Sequence, residues 1–221
     1  MSSAVTLEPL DLAALLCSRV CHDLISPASA IVNGLEVYDD AQDEETKTFA
    51  LNLVRKSAGT VSARLQFCRL AFGAAGSAGA QVDLGDAEKV ARGAIEDEKV
   101  KINWGLPRLL LPKNRVKLLL NMILLSGHAI PRGGVLTIDP VGEGETMGFR
   151  IEANGLNARV PVAMVALLDE TKEGDSPIDA HAIQPYFTGL LARSCGLGIT
   201  VSAEGDLIVF RTRAVATAPA G

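Results

Sequence analysis

The sequence predicts an α+β fold: an N-terminal antiparallel helical hairpin that pairs with a second copy into a dimeric four-helix bundle, followed by a C-terminal two-layer α/β sandwich. Three observations carry this expectation. Apolar residues recur at helical spacing in two stretches separated by the polar segment Tyr38-Asp39-Asp40-Ala41-Gln42. A run of small residues, Gly73 to Gly79, has the composition of a linker. From Val82 onward, helical periods alternate with short β-rich runs bounded by glycine, the pattern of helices packed on one layer of strands. The expected organisation is therefore a hairpin at 1–75, a linker at 76–81, a sandwich at 82–213 and a disordered small-residue tail at 214–221.

The first helix is expected from about Leu7 to Val37, with Asp11 in its opening turn opposing the positive end of the helix dipole. Gly34 weakens this helix by about 1 kcal/mol relative to Ala. It makes room for close packing either within the hairpin or against a partner's helix. Asp43, Glu44 and Glu45 suit the start of a second helix. Phe49, Leu53, Thr60, Ala63, Phe67 and Leu70 then recur with a coiled-coil rhythm. A lone hairpin leaves much of its apolar surface wet, which predicts pairing into a homodimer. Beyond the linker, Asp83 caps a helix from Leu84 to Ile95, Val100 to Leu106 reads as a strand, and Pro112 to Ile130 as a long apolar helix. Strands follow at Val135 to Ile138 and Gly148 to Glu152, with a hairpin loop at Gly142 to Gly144. A short helix is expected at Ala163 to Leu168 and another from Asp179 to Arg193, then strands at Ile199 to Ala203 and Leu207 to Thr212.

Composition excludes several function classes. The net charge of −5 and pI near 5.3 give no electrostatic footprint for nucleic acid. The apolar run Val116 to Ile130 is broken by Lys117, Asn121 and His128, so it does not read as a membrane span. Glu8 and Asp11 stand where a signal peptide carries basic residues. A cytoplasmic protein without membrane contact is expected. Cys17 and Cys21 lie one turn apart beside His22, yet they sit at the edge of the apolar sector while His22 points elsewhere. They read as small buried hydrophobes rather than zinc ligands.

The chemistry concentrates in Arg19-Val20-Cys21-His22-Asp23-Leu24-Ile25-Ser26-Pro27. At about 100° per residue, Leu16, Val20, Leu24, Pro27 and Ile31 share one apolar sector, and His22 lies roughly opposite its centre. Asp23 can hold or relay an imidazole proton, leaving one ring nitrogen able to attack. Arg19, one turn earlier, can meet a developing phosphoryl charge. Pro27 removes a backbone donor and is expected to loosen or bend the helix just past the histidine.

His-Asp-Leu-x-x-Pro on a helix resembles the H-box of histidine kinase dimerisation domains, in which the histidine carries a phosphoryl group. The second half resembles the ATP-binding domain of the same kinases. Asn121-Met122-Ile123-Leu124-Leu125-Ser126, leading to Pro131-Arg132-Gly133-Gly134, matches the spacing of the kinase N-box and its following turn. Leu125 stands where the kinases place a magnesium-binding asparagine, and Leu cannot ligate a hard cation. Ala153-Asn154-Gly155-Leu156-Asn157 takes the place of the Asp-x-Gly-x-Gly box, without its adenine-binding carboxylate or its last glycine. No Gly-x-Gly-x-Gly loop precedes the Asp179 helix. Cys195-Gly196-Leu197-Gly198 comes after it and reads as a helix stop.

A kinase-like hairpin joined to a scaffold with degraded nucleotide boxes is similar to the alphaproteobacterial histidine phosphotransferases. That resemblance implies a homodimer without a cofactor of its own. It would relay phosphoryl groups from the receiver of a CckA-like hybrid kinase to CtrA-like and CpdR-like response regulators, with Mg²⁺ supplied by the receiver. It makes His22 the phospho-acceptor, with Asp23 and Arg19 assisting, and Ser26, Ser29, Ala30, Asn33 and Val37 the receiver-docking face. Two other readings stay open. An autophosphorylating kinase would require ATP binding, and a non-catalytic dimeric scaffold would bind a receiver without accepting phosphate.

Overall fold

The computed structural model describes residues 6–73, 80–168, 178–179 and 182–215. Two long antiparallel helices lead the chain, α1 (Pro9–Asp40) and α2 (Glu44–Ala71). Pro9 opens α1 at the position where a missing N–H costs nothing. Asp43 caps α2, accepting 2.7 Å hydrogen bonds from the Thr46 backbone N–H and from its hydroxyl. The polar segment expected to form the turn is largely helical, because α1 runs on to Asp40. The helix is also continuous through Pro27.

Three stripes divide α1. Leu12, Leu16, Arg19, Asp23, Pro27, Ala30, Gly34 and Tyr38, in steps of three and four, are covered by the rest of the chain. The expected apolar sector, Leu16, Val20, Leu24, Pro27 and Ile31, lies along this side and is half-buried throughout. At Gly34 the two helices approach so closely that a Cβ would stand 2.8 Å from Val54 Cγ2, so close packing within the hairpin accounts for this glycine. Ala50 is fully buried on the facing helix, and Phe49 turns outward at 67% exposure rather than into the seam its spacing suggested.

A second stripe, Leu10, Ala14, Cys17, Cys21, Ile25, Ala28, Val32 and Leu35, has the same rhythm and is exposed along its whole length. Cys17 and Cys21 therefore face outward and are not the buried hydrophobes expected of them. This outward apolar surface makes α1 the one helix among the described residues that is long and apolar enough to cross a membrane by length and composition. The apolar run Val116 to Ile130 belongs mostly to the interior.

The second half begins with α3 (Leu84–Ile95), capped by Asp83 through hydrogen bonds from the Gly85 and Asp86 backbone N–H groups. A five-stranded sheet follows in the order β2 (Val100–Trp104), β4 (Gly134–Val141), β5 (Gly148–Asn154), β7 (Leu207–Ala214) and β6 (Leu197–Glu204). Every neighbouring pair is antiparallel except β2 with β4. That parallel pair is made possible by the crossover through α4 (Lys113–His128). Two short strands absent from the sequence expectation, β1 (Gln81–Asp83) and β3 (Leu110–Pro112), pair with each other beside α3 and α4. Gln81 thus belongs to a strand rather than the linker, and Ala214 to β7 rather than the tail. Residues 76–79, 216–221 and His181 lie outside the described residues.

The core sits between the sheet and α4, which buries nine of its sixteen residues. Leu118, Leu119, Leu120, Met122 and Ile123 meet Leu136, Ile138, Phe149, Ile151 and Phe210 in this interior. The hairpin is built into the same core: Phe67 and Ala71, from the last turns of α2, are buried within it. A second apolar cluster joins α1 to α5 (Val162–Leu168) and α6 (Ile183–Ser194), with Leu12 and Leu16 packed against Leu167, Ile183 and Tyr186. There the Leu7 backbone N–H donates to the Tyr186 hydroxyl at 3.1 Å.

Candidate functional site

The middle of α1 carries a third stripe, Ser18, His22, Ser26, Ser29, Asn33 and Glu36, polar and exposed. The His22 side chain is 65% exposed, and its Nδ1 lies 3.6 Å from Asp23 Oδ1. The other carboxylate oxygen of Asp23 accepts a 3.1 Å hydrogen bond from Arg19 Nε. Arg19 is itself buried, 8% exposed. Its guanidinium is thus turned to Asp23, one turn on. A charged hydrogen bond of this kind fixes the carboxylate, and the carboxylate in turn stands beside the imidazole. Of the expected docking residues, Ser26, Ser29, Asn33 and Val37 are exposed, while Ala30 is half-covered on the side facing α2.

Tertiary structure brings in residues the sequence did not single out. Arg64 of α2 donates through Nη1 to the backbone carbonyl of Asp23. Behind Asp23 lies a cleft of about 280 Å³ between the hairpin and the second half, walled by Arg19, Asp23, Arg64, Cys68, Asp97 and His128. Burial in the cleft shifts the groups that line it. Burial, assisted by the Asp23 charge, pushes the Cys68 thiol up to about 11. His128, at the end of α4, reaches solvent at the cleft mouth, yet its pKa is lowered by burial and by the Arg19 charge, with Asp23 opposing. No residue pattern in the sequence linked positions 64 or 128 to His22.

Of the positions matched by sequence to the kinase nucleotide boxes, Asn121, Leu125 and Ala153 are buried in the interior, whereas Leu156 and Asn157 are exposed. Asn121 is fully buried and donates to the Ala71 carbonyl at 3.1 Å and the Lys117 carbonyl at 2.8 Å, while its Oδ1 accepts from Gln184 Nε2. It ties α2, α4 and α6 together. Leu125 is 1% exposed and Ala153 is fully buried at the centre of the sheet. Asn157 has a left-handed φ of 59°, a conformation that Asn tolerates better than most residues and that Gly adopts without strain. Gly196, with φ of 69°, ends α6 and donates to the Arg193 carbonyl, so the Gly-x-Gly there is a helix stop.

The family profile described as histidine phosphotransferase C-terminal domain matches residues 84–207. Over 210 residues the chain is 50% identical to protein phosphotransferase ChpT of Brucella abortus (strain 2308), covering 95% of this chain and 99% of that protein. The chain belongs to the ChpT histidine phosphotransferase family. A bacterial phosphotransferase solved at 1.7 Å shares this architecture with a TM-score of 0.86 and 47% identity, across 96% of the phosphotransferase described here and 100% of its counterpart. The histidine kinase domain of the blue-light-activated kinase from Erythrobacter litoralis matches at a TM-score of 0.45 and 13% identity, across 84% and 94% of the two chains. The phosphotransferase works in two-component signalling.

Proposed function

We propose that this phosphotransferase relays phosphoryl groups between receiver-domain aspartates through a phosphohistidine at His22, without using ATP. The observation that carries the reading is an exposed imidazole beside a carboxylate that a buried arginine holds in place. In the forward step the His22 Nε2 lone pair attacks the phosphorus of a receiver's aspartyl phosphate. The P–N bond forms as the P–O bond breaks, and the receiver's carboxylate leaves with the electron pair. The ring proton sits on Nδ1, facing Asp23 Oδ1, which offsets the positive charge gained by the ring. The reverse step delivers the group to a second receiver. Catalysis on this side is placement and electrostatics; the receiver supplies Mg²⁺ and the acidic residues that hold it.

Several features support the partners. Ser26, Ser29, Ala30, Asn33 and Val37 extend C-terminally from His22 with small side chains along most of the face, which lets a receiver helix approach the α1 backbone. The chain's resemblance to its family makes a CckA-like receiver the donor and CtrA-like and CpdR-like regulators the acceptors, in control of the cell cycle. The exposed stripe from Leu10 to Leu35 supports a homodimer: its heptad rhythm suits a second copy packed along α1 as a four-helix bundle. Burial of that stripe in a bundle accounts for its apolar character without a bilayer, in keeping with a cytoplasmic relay. A donor other than ATP is supported by Leu125 and Ala153, whose apolar side chains supply neither the cation ligand nor the adenine acceptor, and by Asn121, whose amide is engaged between helices.

The test is transfer from a ³²P-labelled receiver. Wild type is expected to acquire an acid-labile, base-stable label that His22→Gln does not, with the two proteins melting at the same temperature. ATP as sole donor is expected to give no label. Labelled His22→Gln, or labelling of wild type by ATP, would refute the respective part of the proposal.

A further inference from the structure

An α-helical proline has no N–H for the carbonyl four residues earlier, and its ring crowds that carbonyl out of line. In α1 the proline is Pro27, and the carbonyl it leaves is that of Asp23, the residue next to the acceptor histidine. Both residues lie on the half-covered stripe of α1, and a backbone carbonyl left without its helical donor takes another donor within reach. Arg64 of α2 supplies it, donating from Nη1 to the Asp23 oxygen. Asp23 is consequently gripped at two points, its side chain by Arg19 from its own helix and its main chain by Arg64 from the other. His22 is bonded to the Asp23 nitrogen, so the gripped residue is its immediate neighbour in the chain.

We propose that Arg64 is a positioning residue for phosphotransfer, replacing the hydrogen bond that Pro27 withholds and thereby fixing the backbone that presents the Asp23–His22 pair. The proposal rests on His22 being the acceptor. It gives the proline a defined use: the helix is opened at one carbonyl beside the reacting residue, and the geometry there is set across the hairpin by α2. A neutral helical N–H holds a carbonyl within its own helix; a guanidinium from the opposite helix couples the acceptor's position to the packing of the pair.

A double-mutant cycle on the full chain tests this. Arg64→Met keeps the length of the side chain and removes its donors, Arg64→Lys keeps a charged donor, and Pro27→Ala restores the helical N–H to the Asp23 carbonyl. Single-turnover transfer from a phosphorylated receiver, measured across receiver concentrations, separates binding from the chemical step. Arg64→Met is expected to slow the saturated rate about 10- to 100-fold with little change in half-saturation. Arg64→Lys is expected to recover much of that rate. In the Pro27→Ala background, Arg64→Met should cost several-fold less, because the helix now provides the bond. An Arg64→Met rate equal to wild type, or equal costs of Arg64→Met with and without Pro27, would overturn the proposal.

Independently of transfer, the His22 ring resonances should shift in Arg64→Met relative to wild type, and move back toward wild type in the double variant. Unchanged resonances also count against it. A wild type that accepts no label on His22 sinks the parent reading, whereas the ring resonances still report whether Arg64 sets the pair. Should Arg64→Met fail to fold, Arg64→Lys and the double variant still decide between the two outcomes.

Discussion

α1 and α4 are both rich in aliphatic residues, yet they meet opposite surroundings. Among the 32 residues of α1 only Arg19 and Gly34 are buried, whereas α4 buries nine of 16. The first helix spreads its apolar residues over two stripes and covers only one of them, leaving the other and the polar His22 stripe exposed. The second is enclosed on nearly every side by the sheet, α2, α3 and α6. The difference teaches that similar aliphatic content makes an open surface in one helix and a core in the other. Asn121 of α4 is a cross-brace to α2 and α6, and the helix is the spine against which the hairpin is held.

That contrast can be broken most severely at the spine. Leu119→Ala, in a fully buried position, is expected to lower unfolding free energy by about 2–5 kcal/mol in urea titration. Asn121→Ala should cost about 1–3 kcal/mol by stripping the Ala71 carbonyl of its donor and Gln184 of its acceptor. If that brace also sets the angle of the hairpin, protease sensitivity near the end of α2 should rise with the loss. On α1 the same scale of change should leave the fold intact. Ile25→Glu, on the exposed stripe at 63% exposure, is expected to shift molar mass from dimer to monomer in light scattering while circular dichroism is preserved.

The smallest expected effect is a pH dependence at the junction of the two regions. His128 has its pKa lowered from the usual 6.5, first by burial and then by the Arg19 charge, with Asp23 acting in the opposite sense. The folded state therefore binds this proton less readily than the unfolded chain. The stability contributed by neutral His128 is full above about pH 6.5 and is lost as pH falls through its folded value. Urea midpoints compared at pH 7.5 and 5.5 should fall for wild type, and fall less for His128→Gln.

Much of this molecule was legible in its sequence, because the strongest signals were local. The helical phase put His22 opposite the apolar sector and on an exposed face, since 3.6 residues per turn leave little choice once Leu16, Val20, Leu24, Pro27 and Ile31 are assigned inward. Asp83 announced α3, and turn glycines bounded most of the sheet. Short β1 and β3 escaped, because three-residue strands have no period to detect and form only where their partner arrives. Phe49 and the two cysteines of α1 were misplaced for a related reason. Apolar character says that a residue prefers cover, not whether the cover lies within the chain.

The sequence by itself determined the helix pair, the order of helices and strands, and the chemistry available around His22: an imidazole, a neighbouring carboxylate and a proline that unmakes one helical bond. Tertiary structure alone decided what those groups touch. It turned Arg19 inward to Asp23, brought Arg64 across from α2 to the carbonyl left by Pro27, set His128 behind them, and locked Asn121 between α2 and α6. The physical reason is range. Periodicity and capping act over one or two turns of chain, whereas a hydrogen bond between residues 23 and 64, or 71 and 121, exists only once packing has closed the distance between them.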